Sequence, residues 1–389
     1  MKLLAVFFKT LREQRRDLLL LILTLIFAPV FVLLYRVWFP SGSTTYGVLI
    51  LNQDAGVQTA ASATLSAGEQ ISEALKALTY ANGSPLLSVR QVGDRGAAEL
   101  LLKDRQAALL LVIPPDLTAS IEAARRGEAV EASPVTLVGD LTNPYYAVAA
   151  VLASSAVDAY IQTATGQERP IPFAEEPLGA SAARTEFEIY VPGLLAFATM
   201  MMMFTVAMTV VREAESGTLR RLQMACVSSF DLLGGISAAM VLIGVAAVIL
   251  TIATAWAVGF RSEGPMWLAV VVGAITSLSI VGVGLIIASV SRTVTQAFLI
   301  ANFPLALFMF FSSAVFPVPR VTLLTVGGRA IGLYDILPPT HAVVALNKVL
   351  TMGAGLGDVI YELAALLILS VVYFAAGVWL FSRTHLRAD

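Results

Sequence analysis

Residues 232–260 read LLGGISAAMVLIGVAAVILTIATAWAVGF, a run of 29 residues without Asp, Glu, Lys or Arg. A helix rises about 1.5 Å per residue, so about 20 apolar residues cross a hydrocarbon core of about 30 Å. This run is long enough to cross with residues to spare. Five more charge-free runs flank it, at residues 18–35, 189–211, 264–291, 293–319 and 363–382. The first continues through Arg36 to Trp38, an interfacial pairing of a snorkelling cation with an aromatic ring. Only Ser291-Arg292-Thr293 separates the fourth run from the fifth, which predicts a tight helical hairpin.

Composition agrees with this reading. The chain is 57% hydrophobic and 13% charged, where a soluble domain carries about 25% charged residues. The charge is confined to short patches between the apolar runs, the pattern of a polytopic membrane protein. A single cysteine, Cys226, excludes an intrachain disulfide and a thiolate-rich metal cluster. A cleaved signal peptide is the rival reading of residues 18–35. The run exceeds the usual signal core, and no small-x-small cleavage site follows before Pro40.

Basic residues set the orientation. With the N-terminus in the cytoplasm, Lys2, Lys9, Arg12, Arg15, Arg16, Arg212, Arg220, Arg221, Arg292, Arg383 and Arg387 lie inside. Only Arg36, Arg261, Arg320, Arg329 and Lys348 fall in short outer segments, as the positive-inside rule requires. An even number of spans then returns the C-terminus to the cytoplasm. The expected fold class is an α-helical membrane protein: six transmembrane helices, with a large extracytoplasmic α/β domain between the first and second. In outline, residues 1–17 form an interfacial amphipathic helix and 18–39 the first span. Residues 40–188 form the outer domain, and 189–389 a five-helix membrane domain. Its spans are 189–211, 232–260, 264–291, 293–319 and 359–382. Residues 212–230 form an inner segment, and 320–358 an outer, re-entrant one.

Leu3, Leu4, Phe7, Phe8 and Leu11 recur at helical spacing, with Lys9, Glu13 and Arg16 opposite. A helix of this pattern lies in the interface with its apolar face down; the plainer reading is a basic flank that sets topology. The outer domain carries a net charge of −8, from 9 basic and 17 acidic residues over 41–188. Strands are expected at 46–51, 86–92, 107–113 and 134–138, and helices at 68–80, 97–104, 116–126 and 143–165. Leu100 and Leu101 are placed toward the core. A Pro-rich link runs over 170–177. The domain has neither His nor Cys, and its acids read as solvated helix surface rather than an active site. Asn82-Gly83-Ser84 fits a glycosylation acceptor but reads better as a turn.

Two absences narrow the function. The six runs hold no Asp, Glu, Lys, Arg or His, so they lack the groups that ion-coupled carriers use at mid-membrane. None of the five lysines follows a glycine, so the phosphate-cradling G-x-x-x-x-G-K-[ST] loop is missing. If the chain works on ATP energy, another polypeptide hydrolyses the ATP. The most informative inner stretch is Arg212-Glu213-Ala214-Glu215-Ser216-Gly217-Thr218-Leu219-Arg220-Arg221-Leu222. Gly217 breaks the descending helix and Thr218 is a good cap for a new one, with Leu219, Leu222 and Cys226 on one face. The residues divide evenly between a short docking helix and an ordinary charged loop.

This stretch resembles the R-E-x-x-x-G-T-L-x-x-L segment of permease subunits of type-2 ABC exporters. Arg212, Glu213, Gly217, Thr218, Leu219 and Leu222 match it, Val227-Ser228 follows where a Pro-Val-Ser is usual, and Gly235 matches a glycine of the next span. Cys226 and Ile236 depart from the pattern, standing where proline and lysine are common. Residues 337–342, LPPTHA, resemble the outer motif before the last span, and Phe381-Ser382-Arg383 its cytoplasmic exit. The resemblance implies that the first stretch couples to an ATPase, with Arg212, Glu213, Gly217, Thr218, Leu219, Arg221 and Leu222 as the coupling residues. It implies a dimer with an identical or paralogous permease, a cytoplasmic ATPase dimer holding ATP and magnesium, and no cofactor on this chain. A periplasmic adaptor is a further expected partner, membrane lipid surrounds the spans, and no nucleic acid is involved. The implied location is the bacterial inner membrane, and the implied cargo a drug, antibiotic or lipid-like molecule.

Phe197, Met200, Met201, Phe204, Asn302 and Phe303 form the candidate cargo path, with helix packing as the plainer reading of each. Gly273, Gly282 and Gly284 are expected to permit close helix contacts. A non-transporting receptor or anchor whose outer domain binds a ligand is the alternative function. An intramembrane enzyme would need a buried nucleophile or acid pair, and the spans offer only isolated Ser and Thr.

Overall fold

The computed structural model describes residues 2–38, 44–58, 64–81, 83–104, 106–128, 133–141, 143–166, 185–218, 228–315, 321–326 and 329–386. The chain divides into two compact units, one of residues 1–42 and 177–389, the other of residues 43–176.

The smaller unit is built on a four-stranded sheet in the order β4-β1-β5-β6: β1 (Tyr46–Asn52), β4 (Leu87–Gln91), β5 (Leu109–Ile113) and β6 (Thr136–Val138). A two-residue pair, β2 (Val57–Gln58) with β3 (Thr64–Leu65), lies apart from that sheet. β1 runs parallel to both β4 and β5, and β6 closes the edge antiparallel. Its apolar run YGVLILN follows from that central place, because a parallel strand covered on both faces has no polar side. Val48 and Ile50 pack with side chains of α3 (Ala67–Lys76), α5 (Leu117–Arg125) and α6 (Pro144–Thr165). Leu49 and Leu51 face the opposite way, onto α4 (Arg95–Lys103). On α4 the inward residues are Ala98 and Leu102, not the expected Leu100, which is 61% exposed. Asp94 caps this helix, so positions four apart face the sheet and Leu100 turns outward. Asn82 and the 170–177 link lie outside the described residues; Gly83, at φ 80°, occupies the turn that residues 82–84 predict.

The acids of this unit are not all surface decoration. Asp54, just past β1, accepts from Ser66 Oγ (2.9 Å), Gly68 N (3.1 Å), Thr118 N (3.1 Å) and Thr118 Oγ1 (2.6 Å). One carboxylate thus ties together the N-termini of α3 and α5, where helix dipoles favour negative charge. Partial burial pushes its pKa upward, but the bonds from Thr118, Gly68 and Ser66 outweigh that and hold it below the usual carboxylate range.

The larger unit is helical. It comprises α1 (Lys2–Arg16), α2 (Leu18–Trp38), α7 (Glu186–Met200), α8 (Met202–Glu215), α9 (Ser229–Ala257), α10 (Met266–Val290), α11 (Val294–Phe311), α12 (Pro338–Met352) and α13 (Leu356–Phe381). A hairpin of β7 (Thr322–Val326) and β8 (Arg329–Gly332) precedes α12. By length and composition, seven helical stretches among the described residues are apolar enough to cross a membrane. That is one more than the six expected, and the additional one is α6 of the smaller unit. The α7–α8 stretch is the centre of the bundle, with 94% of its apolar window buried, against 17% for α11 and 22% for α13.

Several boundaries differ from expectation. The run expected at 189–211 spans two helices joined at Met201, where the backbone stays right-handed helical. α11 ends at Phe311 rather than continuing to 319, because Ser313 adopts φ 60° just after it. α13 starts earlier than the charge-free run and brings in Asp358 and Glu362. Glu362 is 5% exposed and accepts from Lys348 Nζ of α12 at 2.8 Å. This end of α13 therefore carries one buried acid, though the run from Leu363 onward stays free of charge. Gly282 of α10 meets the α13 backbone: a methyl placed there would lie 2.6 Å from Phe374 N. Gly377 answers from α13, its added methyl 2.9 Å from Gly282 O. Neither position has space for a side chain.

A candidate coupling elbow at the base of α8

The amphipathic N-terminal helix has a buried face beside the expected apolar one. Val6, Thr10 and Gln14 of α1 are buried, and α1 packs along α9, while Leu4 (59%) and Phe8 (50%) are exposed. The outward apolar side chains suit lipid, so one helix serves both a protein face and a lipid face. Lys9 and Glu13, expected on the solvent side, instead form an ion pair with each other, and Lys9 also reaches Glu213. Asp17 joins α1 to α2, its amide donating to Glu13 O at 2.9 Å and its carbonyl accepting from Leu21 N at 3.1 Å.

Along this joint runs a polar seam on α8. Thr205 exchanges a hydrogen bond with Thr24 (2.6 Å), and Thr209 accepts from Gln14 Nε2 (2.9 Å). One turn lower, Glu213 accepts from Lys9 Nζ, and Arg212 donates to Asp17 Oδ2 at 2.6 Å. Residues 205, 209 and 213 share a helix face through their four-residue spacing. Glu215 turns elsewhere and accepts from Val294 N (3.3 Å) at the start of α11. Thr293 caps α11 by accepting from Gln296 N at 3.1 Å, and the Gln296 side chain accepts from Arg292 N at 2.8 Å. The Arg-Glu-Ala-Glu tetrad thus touches the N-terminal helix, the joint that leads into α2 and the start of α11.

Gly217 ends α8 with φ 68°, the left-handed conformation that a glycine adopts without a Cβ clash. Its amide donates to Ala214 O (3.2 Å), and Ser216 N donates to Arg212 O (3.0 Å). Thr218 is already helical, one residue inside the cap position expected of it, and shares a 2.8 Å bond with Ser216. Leu219, Arg221, Leu222 and the face with Cys226 lie outside the described residues.

Between α1 and α8 is a cavity of about 470 Å³ walled by Glu13, Gln14, Arg16, Asp17, Arg212 and Glu213 among others. Sequence reasoning singled out Arg212 and Glu213 but missed Lys9, Gln14, Asp17, Thr209 and Glu215. The signal was present as polar residues four apart on an otherwise apolar helix.

The candidate cargo residues do not share one surface. Phe197, Met200, Met201 and Phe204 are buried in the bundle core. Phe197 packs on Phe27 (5.5 Å) and Phe31 (5.6 Å), and Phe204 on Phe298 (5.4 Å). Phe303 is 72% exposed on α11, and Asn302 turns its amide back to Phe298 O at 2.8 Å. In the LPPTHA stretch, Pro338 and Pro339 open α12, Thr340 Oγ1 donates to Tyr334 O (2.8 Å), and His341 Nε2 lies 2.8 Å from Asp335 O. That motif locks the short helical turn at 333–336 onto α12.

A family model described as ABC-2 family transporter protein matches residues 16–379. No curated protein matches the chain.

Proposed function

The chain belongs to the ABC-2 family of transporter proteins, and from that premise we propose that it is the membrane-spanning permease of an ATP-driven exporter. Its fuel is hydrolysed by a separate pair of cytoplasmic ATPase subunits, which hold ATP and magnesium. The observation that carries this reading is the elbow. A push on residues beyond Gly217 meets α8, and α8 is pinned to α1, to the α1–α2 joint and to the start of α11. Two ion pairs and one backbone hydrogen bond let those helices move as a body, which alternating access needs.

In this reading six helices cross the bacterial inner membrane with both termini inside, and α6 belongs to an outer domain. Three α6 residues, Ala149, Ala153 and Val157, are buried and pack with the sheet's core, and Asp158 interrupts the helix surface. The permease works as a homo- or heterodimer, with a periplasmic adaptor as a further partner. Its cargo is a hydrophobic or amphipathic small molecule. α11 exposes Phe298, Leu299 and Phe303, an apolar surface suited to such cargo or to the second permease.

The test is purification of the intact protein co-expressed with a candidate ABC ATPase, followed by cargo-stimulated hydrolysis in liposomes. Co-purification and stimulation of about tenfold are expected. A protein that brings down no ATPase and transports nothing would favour the receptor reading.

A further inference from the structure

The exposed face of α1 changes chemistry halfway along. Val6, Thr10 and Gln14 make the buried stripe. At about 3.6 residues per turn, the opposite side carries Leu4, Ala5, Phe8, Arg12, Arg15 and Arg16, all of them exposed. The N-terminal half of that face is apolar and the C-terminal half cationic. Other charges on this part of the chain are matched: Lys9 pairs with Glu13 and Glu213, and Asp17 with Arg212. Arg12, Arg15 and Arg16 meet no acid among the described residues. Arg12 stands three and four positions from the other two, spacings at which like charges on a helix repel. The cluster therefore favours a counter-anion brought from outside the chain.

The surroundings say which anion. Leu18, two residues past Arg16, is 60% exposed, and Ile22 (50%) and Ile26 (44%) continue an apolar row along α2. The arginines thus stand where the exposed apolar surface of the first span ends, the level of lipid phosphates. Leu4 and Phe8, on the same side of α1, suit acyl chains rather than water. A topology signal needs cations in number but not gathered on one face. We propose that the face made by Leu4, Phe8, Arg12, Arg15 and Arg16 docks anionic phospholipid of the cytoplasmic leaflet, as in phosphatidylglycerol. The guanidinium groups take headgroup phosphates, whose oxygens their paired N–H groups match. Phosphatidylcholine carries its own cation and leaves the cluster's charge uncompensated. Because α1 also holds Glu213 through Lys9, lipid on its outer face steadies the helix that braces the elbow.

This inference rests on α1 lying at the cytoplasmic membrane surface and not on coupling to an ATPase, so either can fail alone. The full-length protein, stripped of lipid in detergent, is titrated with phosphatidylglycerol and phosphatidylcholine of equal chain length. Binding is read by native mass spectrometry. The anionic lipid is expected to bind about tenfold more tightly. Combining Arg12→Gln, Arg15→Gln and Arg16→Gln keeps helix formers at exposed positions, and should bring the two lipids to near parity without changing choline-lipid affinity. The same three positions changed to Lys keep the charge and should keep the preference. Arg292→Gln, an inner arginine outside α1, should leave it untouched. Equal affinity of the unaltered protein for the two lipids overturns the proposal. So does a preference that survives the glutamine variant, or one lost as fully in the lysine variant or in Arg292→Gln. Absence of a lipid preference, with loss of a co-expressed ATPase from the glutamine variant, assigns the face to a protein partner and equally overturns it.

Discussion

Glu213 shows how one residue can be legible in type and hidden in role. Its place in an Arg-Glu-x-x-x-Gly-Thr-Leu stretch marks it, but only the fold brings it to Lys9, 204 positions away. The pair is partly buried, so truncating one member strands the other's charge. Glu213→Ala is expected to destabilise the protein by about 2 kcal/mol. In a double-mutant cycle with Lys9→Met, the two should couple by about 1–2 kcal/mol, read from thermal unfolding in detergent. Additive effects would show that the pair contributes nothing. Gly217→Val forces a β-branched residue to φ 68°, at a cost of about 1–2 kcal/mol. Normal export by that variant, measured in liposomes with the ATPase, would remove the elbow from the mechanism. Asp54 makes the pH prediction. Its folded pKa is depressed, so its contribution is present above the unfolded value of about 3.9 and fades as pH falls through the folded value. Hydrogen exchange on the intact protein should show residues 64–76 and 116–125 losing protection selectively in that acid range. Asp54→Asn should produce the same loss at neutral pH, and protection unchanged by either would contradict the assignment.

At the scale of elements, apolar periodicity carried most of the reading. The strands near 46, 87, 109 and 136 lie within about two residues of their expected places, because each is bounded by Asn, Asp or Pro that ends a run. Helix faces were harder to read. On α1 the buried stripe is Val6, Thr10 and Gln14, whose small and polar members a hydrophobic count assigns to water. A tertiary hydrogen bond, from Gln14 to Thr209, reverses that assignment. The β7–β8 hairpin was missed although Gly327-Gly328 is a turn signal, since four- and five-residue strands give a weak alternation. Gly273, Gly282 and Gly284 were read as contact points, and all three lie where a methyl would strike a neighbouring helix. Gly282→Leu is therefore expected to separate α10 from α13 and to cost about 3 kcal/mol or more through overpacking. A thermal midpoint equal to that of the unaltered protein would contradict this packing.

For the whole molecule, the division into a helical unit and an α/β unit follows from one physical contrast. Charge-free runs of 18 to 29 residues need hydrocarbon or each other, whereas residues 43–176 mix charge with short strands and need water around them. Sequence alone counted six such runs and set α6 aside as part of the outer domain; length and composition alone do not separate it from the others. The coupling site was legible only in part. Its covalent stretch stands out in the sequence, but its partners on α1, α2 and α11 lie far along the chain and only folding assembles them. In the proposed exporter the elbow faces the cytoplasmic ATPase and the α/β unit lies on the other side of the membrane. Cys226 is the only native cysteine and lies in the elbow segment. Gln91→Cys, in a Cys226→Ser background, places a thiol on an exposed strand position of the α/β unit. With a membrane-impermeant maleimide, intact cells should label that variant and not the unaltered protein, and inverted vesicles should label Cys226 of the unaltered protein and not that variant; labelling of both proteins from the same side would contradict the account.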